Sequence, residues 1–250
     1  MILRLILSFI ICQLSFSPAG AQTDTLTVRI NGMRCDECAH KVMKTVRALP
    51  GIESLRSNTE RRTTTIVYDR SLTCADSIEA RLAATGRYKA SPYSPADTIR
   101  RGMGLRIDDM HCQNCANKIV KRLEQIEGVD SLAPHVDKHY IFIRYDANRT
   151  CKDAIREAIG ELGYTPVNYY SDPKVAFAYY NIPKEQATEE TIDKLLVYSD
   201  AIDDANVNAR SGSLAVTFFH EELSADQLLE ACHQLGINAE VPAPHECSEN

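Results

Sequence analysis

The sequence has no tryptophan and no cluster of basic residues, and its formal net charge is −6. A nucleic acid is therefore not expected as a partner. The sequence also lacks a coupled Ser/His/Asp set, a Gly-rich phosphate loop and a pair of catalytic acids, so we expect a protein that is not an enzyme. With 44% apolar and 25% charged residues, the composition is typical of a globular protein.

The first 21 residues resemble a secretory signal peptide. Arg4 precedes an apolar run from Leu5 to Cys12, and Ala19-Gly20-Ala21 is a small-residue cleavage site. The run is short for a membrane anchor. We expect a secreted, periplasmic protein that begins at Gln22 after cleavage and has no membrane span.

Nine cysteines are more than an ordinary soluble chain carries, and their spacing shows an internal repeat. A shift of 77 residues superimposes a first CxxC motif, Cys35 to Cys38, on a second, Cys112 to Cys115. Several other features match at the same offset, and each copy is therefore a unit of about 70 residues. The matched features are Met33 with Met110, Tyr68-Asp69 with Tyr145-Asp146, Thr73-Cys74 with Thr150-Cys151, and Gly86 with Gly163.

The hydrophobic pattern within a copy changes from the period of a strand to that of a helix and back. Leu26, Val28 and Ile30 alternate with polar residues, whereas Val42 and Val46 recur at helical spacing. A hairpin and a second helix follow, and the order predicts an α+β fold of ferredoxin-like βαββαβ sandwiches. We expect the second helix to begin at capping boxes, Thr73-x-x-Asp76 in copy one and Thr150-x-x-Asp153 in copy two.

A third copy follows the same order but has no cysteine pair. Val175, Phe177 and Tyr179 alternate as its first strand, and Ser224-x-x-Gln227 is a capping box for its last helix. We expect this degenerate ferredoxin-like domain to serve docking or dimerisation. The predicted organisation is a signal peptide (1–21), domain 1 (24–90), a linker (91–101), domain 2 (102–170), the degenerate domain 3 (173–242) and a tail (243–250).

Each CxxC motif predicts a soft-metal site. The first cysteine falls in the loop after a strand and the second in the opening turn of a helix, where free N–H groups and the helix dipole stabilise thiolates. Two thiolates suit a linear soft cation such as Cu(I) or Hg(II), whereas a structural Zn(II) site requires four ligands.

The residues around both motifs resemble the GMxCxxC sequence of heavy-metal-associated domains. These residues are Gly32-Met33-Arg34-Cys35-Asp36-Glu37-Cys38 and Asp109-Met110-His111-Cys112-Gln113-Asn114-Cys115. That family includes copper chaperones, modules of metal-exporting ATPases and periplasmic mercury-binding proteins. The resemblance implies that Cys35, Cys38, Cys112 and Cys115 bind metal and that Met33 and Met110 support the loops from inside. Asp109 departs from the usual glycine, which puts the backbone of the second loop in doubt.

The loop after the second helix returns to the cysteine end of the predicted fold. It carries Arg87 in domain 1 and Tyr164 in domain 2. Two thiolates around one Cu(I) leave a net charge of −1, which a guanidinium would offset and a phenol could hydrogen-bond. His40 and His111 flank the ligands, and we expect them to be solvated rather than to bind metal.

These patterns favour a carrier of Cu(I), with Hg(II) or Zn(II) as alternative ions, that sequesters metal or relays it by thiolate exchange. The expected partners are the ion and a metal-exporting ATPase or another metal-transfer protein. Two alternatives remain: a dithiol/disulfide exchange protein, since a CxxC motif at a helix start also activates a thiol, and an interaction module with vestigial metal sites. Against the first, neither motif has a flanking tryptophan.

The other cysteines carry weaker predictions. Cys74 and Cys151 lie at equivalent helix starts and are expected to be surface thiols, with an interdomain disulfide or a shared metal site as alternatives. Cys232 is expected in a core, where it would act as a small apolar residue. His245-Glu246-Cys247 in the tail could scavenge a soft metal, although a flexible tail is the simpler interpretation.

Overall fold

The protein is described from a computed structural model that covers residues 22–243. The predicted signal peptide, its cleavage site and the His245-Glu246-Cys247 motif lie outside the described residues. The chain divides into two compact units, one up to Tyr93 and the other from Ser94 onward. No helix within residues 22–243 is long and apolar enough to cross a membrane.

The first unit contains one four-stranded antiparallel sheet with the strand order β2-β3-β1-β4. Alternate residues of β1, among them Val28 and Ile30, are buried against Val42 and Val46 of α1 and Ile78 of α2. The elements are β1 (Thr23–Asn31), α1 (Asp36–Arg47), β2 (Ile52–Asn58), β3 (Thr63–Asp69), α2 (Ala75–Ala83) and β4 (Lys89–Pro92). The ferredoxin-like fold is confirmed.

Domain 2 repeats this architecture with the order β6-β7-β5-β8. Its last strand is only two residues long and pairs with Leu105 and Arg106 of β5. The elements are β5 (Arg100–Arg106), α3 (Gln113–Leu123), β6 (Val129–His135), β7 (Tyr140–Asp146), α4 (Lys152–Gly160) and β8 (Val167–Asn168).

Domain 3 has a three-stranded sheet, β10-β11-β9, over two helices. A fourth strand is reduced to a single bridge between Asn181 and Glu240, and Pro242 has no N–H group with which to extend the pairing. The predicted capping box of its last helix, from Ser224 to Gln227, is confirmed. The elements are β9 (Val175–Asn181), α5 (Glu189–Tyr198), β10 (Ile202–Asn208), β11 (Ser213–Phe219) and α6 (Ala225–Gln234).

The predicted capping boxes at Thr73 and Thr150 are wrong. The N-cap residues of α2 and α4 are Cys74 and Cys151, and neither side chain accepts a cap hydrogen bond. The threonines instead belong to the preceding turns, in which the Thr73 N–H donates to the carbonyl of Asp69 at 3.0 Å. Each helix therefore begins one residue later than a threonine cap would place it.

The predicted linker at residues 91–101 is too long at both ends. Ser91 and Pro92 pair with β1, while Arg100 and Arg101 pair with β7, so the segment between the strands is 93–99. Ile99, at the end of this segment, is buried and donates its N–H to Asp146 Oδ1 at 2.8 Å. Domain 2 consequently begins before the predicted residue 102.

Gly32 places the first CxxC loop directly against the loop that carries Arg87. Its φ is +95°, and a Cβ added to it would lie 2.5 Å from the Arg87 carbonyl oxygen. Gly86 also has a positive φ, +68°, but a Cβ there would meet no atom within 4 Å. A side chain at either position would strain the backbone, but only a side chain at Gly32 would also make a steric contact.

We expect Gly32→Ala to destabilise domain 1 by about 2–4 kcal/mol, because backbone strain adds to overpacking. The matched variant Gly86→Ala incurs only the strain and should cost about 1–2 kcal/mol. Urea unfolding followed by NMR signals of domain 1 measures both values. Equal losses would contradict the close approach at Gly32.

Candidate metal site

The first site lies at the N-terminus of α1. Cys35 is the N-cap residue, Cys38 lies in the first helical turn, and their Sγ atoms are 2.9 Å apart. Cys35 is exposed, whereas Cys38 is buried. Met33 is fully buried in the domain core behind the loop, where it anchors the loop from inside.

The chain turn after α2 brings Arg87 to this sulfur pair. Its guanidinium Nη2 lies 3.5 Å from Cys38 Sγ. A hydrogen bond from the Cys35 thiol, supported by backbone N–H groups and by the charge of Arg87, lowers the pKa of Cys38 to about 7. About half of the Cys38 thiol is therefore ionised at neutral pH before any metal binds.

The second site repeats this arrangement at the N-terminus of α3. Cys112 is the N-cap residue, and its sulfur accepts the backbone N–H of Cys115 at 3.3 Å. The two Sγ atoms are 2.8 Å apart, and Met110 is fully buried behind them. Each site thus presents two sulfurs to one point at a helix start.

Tyr164 supplies a neutral donor at the second site, where Arg87 supplies a cation at the first. Burial tends to raise the pKa of Cys115, but hydrogen bonds from the Cys112 thiol and the Tyr164 phenol outweigh it and lower this pKa. Burial and the Cys115 sulfur both raise the pKa of Tyr164. The phenol therefore stays protonated and donates to the sulfur.

The two loops differ at the position where Gly32 is matched by Asp109. Within residues 22–243 the only non-glycine residues with positive φ are Arg62 and His139, so Asp109 does not adopt the backbone of Gly32. Burial raises the pKa of its carboxyl to about 6, and Tyr179 of β9 donates to its Oδ2 at 3.4 Å. The second loop therefore differs in backbone from the first at this position, as the replacement of glycine predicts.

The described part of the chain contains no group of three or more His, Cys, Asp or Glu side chains that could hold a metal ion. His40 is exposed, and the His111 ring packs edge-on against His139 with centroids 5.5 Å apart. The donor set at each site is therefore a sulfur pair. This set fits a soft cation of low coordination number and does not fit a closed four-ligand zinc site.

The remaining described cysteines lie away from the sulfur pairs. Cys232 is fully buried, as predicted, and burial raises the pKa of its thiol to about 11. Cys74 and Cys151 are free thiols at the starts of α2 and α4. The Ser77 hydroxyl lies 3.2 Å from Cys74 Sγ and lowers its pKa.

Sequence reasoning missed the residues of domain 3 that reach the second site. The sequence pattern indicates only a strand residue at Tyr179, and Asn208, which lies at the end of β10, belongs to no motif. Asn208 was detectable only as a polar residue that closes a strand, a signal common to many turns. Its function depends on packing between domains.

Comparison with known proteins identifies the repeated unit. The model of the heavy-metal-associated domain matches residues 27–87 and 105–165. The copper chaperone CopZ of Staphylococcus haemolyticus is 32% identical over 60 residues, which are 24% of this chain and 88% of the chaperone. This chain belongs to the heavy-metal-associated domain family.

Larger relatives also match more than half of this chain. The copper-exporting P-type ATPase of Bacillus subtilis is 26% identical over 139 residues, which cover 56% of this chain but only 16% of the ATPase. A solution structure of the N-terminal soluble domains of Bacillus subtilis CopA aligns at 24% identity with a TM-score of 0.27, covering 61% of this chain and 98% of that structure.

The lowered pKa of Cys38 predicts its reactivity in the reduced, metal-free protein. Alkylation by iodoacetamide should reach half its maximal rate near pH 7, because the thiolate is the nucleophile. In Cys35→Ala the strongest stabilising hydrogen bond is absent, and the midpoint should move toward the ordinary thiol value. Peptide mass spectrometry measures both profiles. A wild-type midpoint near 9 would contradict the assignment.

Proposed function

We propose that this protein is a secreted, periplasmic carrier that binds one Cu(I) at each CxxC site and passes it on by thiolate exchange. The observation that carries the proposal is the pair of sulfurs, 2.9 Å apart at Cys35/Cys38 and 2.8 Å apart at Cys112/Cys115, at two helix N-termini. Two close thiolates are the donor set that a soft monovalent ion prefers.

The relatives support copper as the cargo. The chaperone and the ATPases that match this chain are named for copper, and none of these names mentions mercury or zinc. Cu(I) is therefore proposed ahead of Hg(II) and Zn(II). Metal-exporting ATPases and other copper-transfer proteins are the proposed partners.

Exchange would begin at the exposed cysteine of each pair. Cys35 and Cys112 are exposed, whereas Cys38 is buried, so an incoming thiolate can approach from the side of the N-cap sulfur. A partner thiol gives up its proton as its sulfur binds the ion, and the N-cap thiolate takes up a proton as it leaves. Sulfur–metal bonds are exchanged one for one and no electron is transferred.

The proposed carrier does not catalyse a reaction. The alternative, a dithiol/disulfide exchange protein, would catalyse the reduction of disulfides. A thiol whose pKa is lowered to about 7 would also serve disulfide exchange. An oxidoreductase would reduce insulin at a rate that Cys35→Ser abolishes. A metal carrier shows no such turnover.

Anaerobic titration of the reduced mature chain with a chromophoric Cu(I) chelator, followed by elemental analysis, tests the proposal. We expect two Cu(I) per chain, one per chain after Cys35→Ser/Cys38→Ser or Cys112→Ser/Cys115→Ser, and none in the quadruple variant. Cys74→Ser/Cys151→Ser is the matched control and should still bind two. Unchanged stoichiometry in the quadruple variant would overturn the proposal.

The proposed location has its own measurement. Expressed in a Gram-negative host, the full chain should appear in the periplasmic fraction with Gln22 as its N-terminal residue, because Ala19-Gly20-Ala21 is the cleavage site. Deleting residues 2–21 should leave the protein in the cytoplasm. An uncleaved N-terminus in the cytoplasmic fraction would overturn this part.

A further inference from the structure

Domain 3 holds the loop that carries Tyr164. This loop (residues 161–166, the Tyr164 loop) follows α4 at the second site. The buried side chain of Asn208, at the end of β10, donates from Nδ2 to the carbonyls of Gly160 at 2.9 Å and Tyr164 at 2.8 Å. The guanidinium of Arg210 donates to the carbonyl of Glu161. Three carbonyls at and around the loop thus accept from domain 3.

Two further contacts fix the end of the same loop. The hydroxyls of Thr165 and Ser213 are 2.5 Å apart and both residues are buried. Asn206 donates from Nδ2 to the carbonyl of Pro166 at 2.7 Å. Side chains from β10, β11 and the turn between them therefore hold the Tyr164 loop at several points.

The equivalent loop of domain 1 is held from within its own domain. Thr85 Oγ1 donates to the carbonyl of Leu82 at 2.7 Å and accepts the N–H groups of Arg87 at 3.3 Å and Tyr88 at 3.1 Å. The residue 77 positions later is Leu162, which has no hydroxyl and is partly exposed. Domain 2 thus lacks the hydroxyl that ties this loop in domain 1. Within domain 2 the Thr165 N–H donates to Asp109 and Arg156 donates to the Pro166 carbonyl, and domain 3 supplies the other side-chain hydrogen bonds to the loop.

Domain 3 also reaches the cysteine loop of the second site. Tyr179 donates to Asp109, the residue that stands where domain 1 has Gly32. A carboxylate at this position needs a donor because it is largely buried. Domain 3 therefore contacts both loops that form the second site.

The junction between domains 2 and 3 is firm enough to transmit this support. Arg156 and Asp204 form an ion pair at 2.9 Å, with only 17% and 14% of their side chains exposed. The rings of Tyr140, Tyr169 and Phe177 stack in sequence, with centroids 4.0 and 5.6 Å apart. Both domains belong to one compact unit.

We propose that domain 3 is a brace for the second site: through Asn208 it positions the Tyr164 phenol on Cys115 and slows the release of Cu(I) there. Asn208 is a positioning residue, since it acts on the sulfur only through Tyr164. The second site is then the slower-releasing of the two. The inference rests on the proposed function for its metal, while the brace itself can be tested without metal.

The first experiment uses the reduced, metal-free chain. Asn208→Asp keeps the shape of the side chain and the oxygen that accepts the Arg210 N–H, but it removes both donated bonds. Amide hydrogen exchange at residues 161–165 should quicken about tenfold, while exchange at 84–88 is unchanged. Thr85→Val is the matched control: it should quicken exchange at residues 84–88 and leave exchange at 161–165 unchanged. An unchanged exchange rate at residues 161–165 in Asn208→Asp would overturn the proposal that domain 3 braces this loop.

The second experiment measures transfer of Cu(I) to an excess of chromophoric chelator. In chains with only the second site (Cys35→Ser/Cys38→Ser), Asn208→Asp should speed release about tenfold, the effect of one hydrogen bond to a charged sulfur. Tyr164→Phe should have a similar effect, and adding Asn208→Asp to Tyr164→Phe should add little. Additive effects would show that Asn208 does not act through the phenol and would overturn its positioning role.

A third variant tests the proposal without changing the buried residue Asn208. Arg210 is exposed, so Arg210→Gln should fold normally and should change exchange and release in the same direction by a smaller factor. No change in either quantity would count against the brace. If no wild-type site binds Cu(I), the proposed function fails, whereas the exchange experiment still decides the brace.

Discussion

Two sulfurs can share one soft cation only where the backbone brings them together and favours their ionised form. A helix start does both, because the N-cap residue and the residue three positions later face the same point and the first N–H groups have no partner within the helix. Each sulfur pair here lies within 3 Å, behind a buried methionine that anchors the loop in the core. The rest of each domain serves to hold this helix start against the loop after the second helix.

The two heavy-metal-associated domains hold the helix start against the loop after the second helix in different ways. In domain 1 a glycine with positive φ lets the cysteine loop touch the Arg87 backbone, and Thr85 ties the Arg87 loop to its own helix. In domain 2 the glycine is replaced by Asp109, which accepts the Thr165 N–H, and further ties come from Asn208 and Tyr179 of domain 3. A domain without a cysteine pair therefore completes the surroundings of the second sulfur pair.

The repeat explains how much could be predicted from sequence. An offset that matches cysteines, turn residues and strand residues together determines the order of elements, because each copy must bury the same faces. Local hydrogen bonding was less predictable: Thr73 closes the turn from Asp69 instead of capping α2. The bonds from Asn208 to domain 2 span 44 and 48 residues, and no periodicity of 2 or 3.6 residues reports on such pairs.

The side chain that faces the second cysteine of each pair also differs in charge between the two sites, since Arg87 of domain 1 is matched by Tyr164 in domain 2. Under the proposed function, two thiolates on one monovalent ion would leave a net negative charge, which the Arg87 guanidinium at the first site would offset. At the second site the phenol of Tyr164 stays neutral and can only donate a hydrogen bond. A guanidinium at the protein surface keeps its attraction over several ångströms, whereas a hydrogen bond is lost within a fraction of one. The second site therefore depends on the accurate placement of one oxygen atom, and domain 3 makes hydrogen bonds to both loops that set this placement.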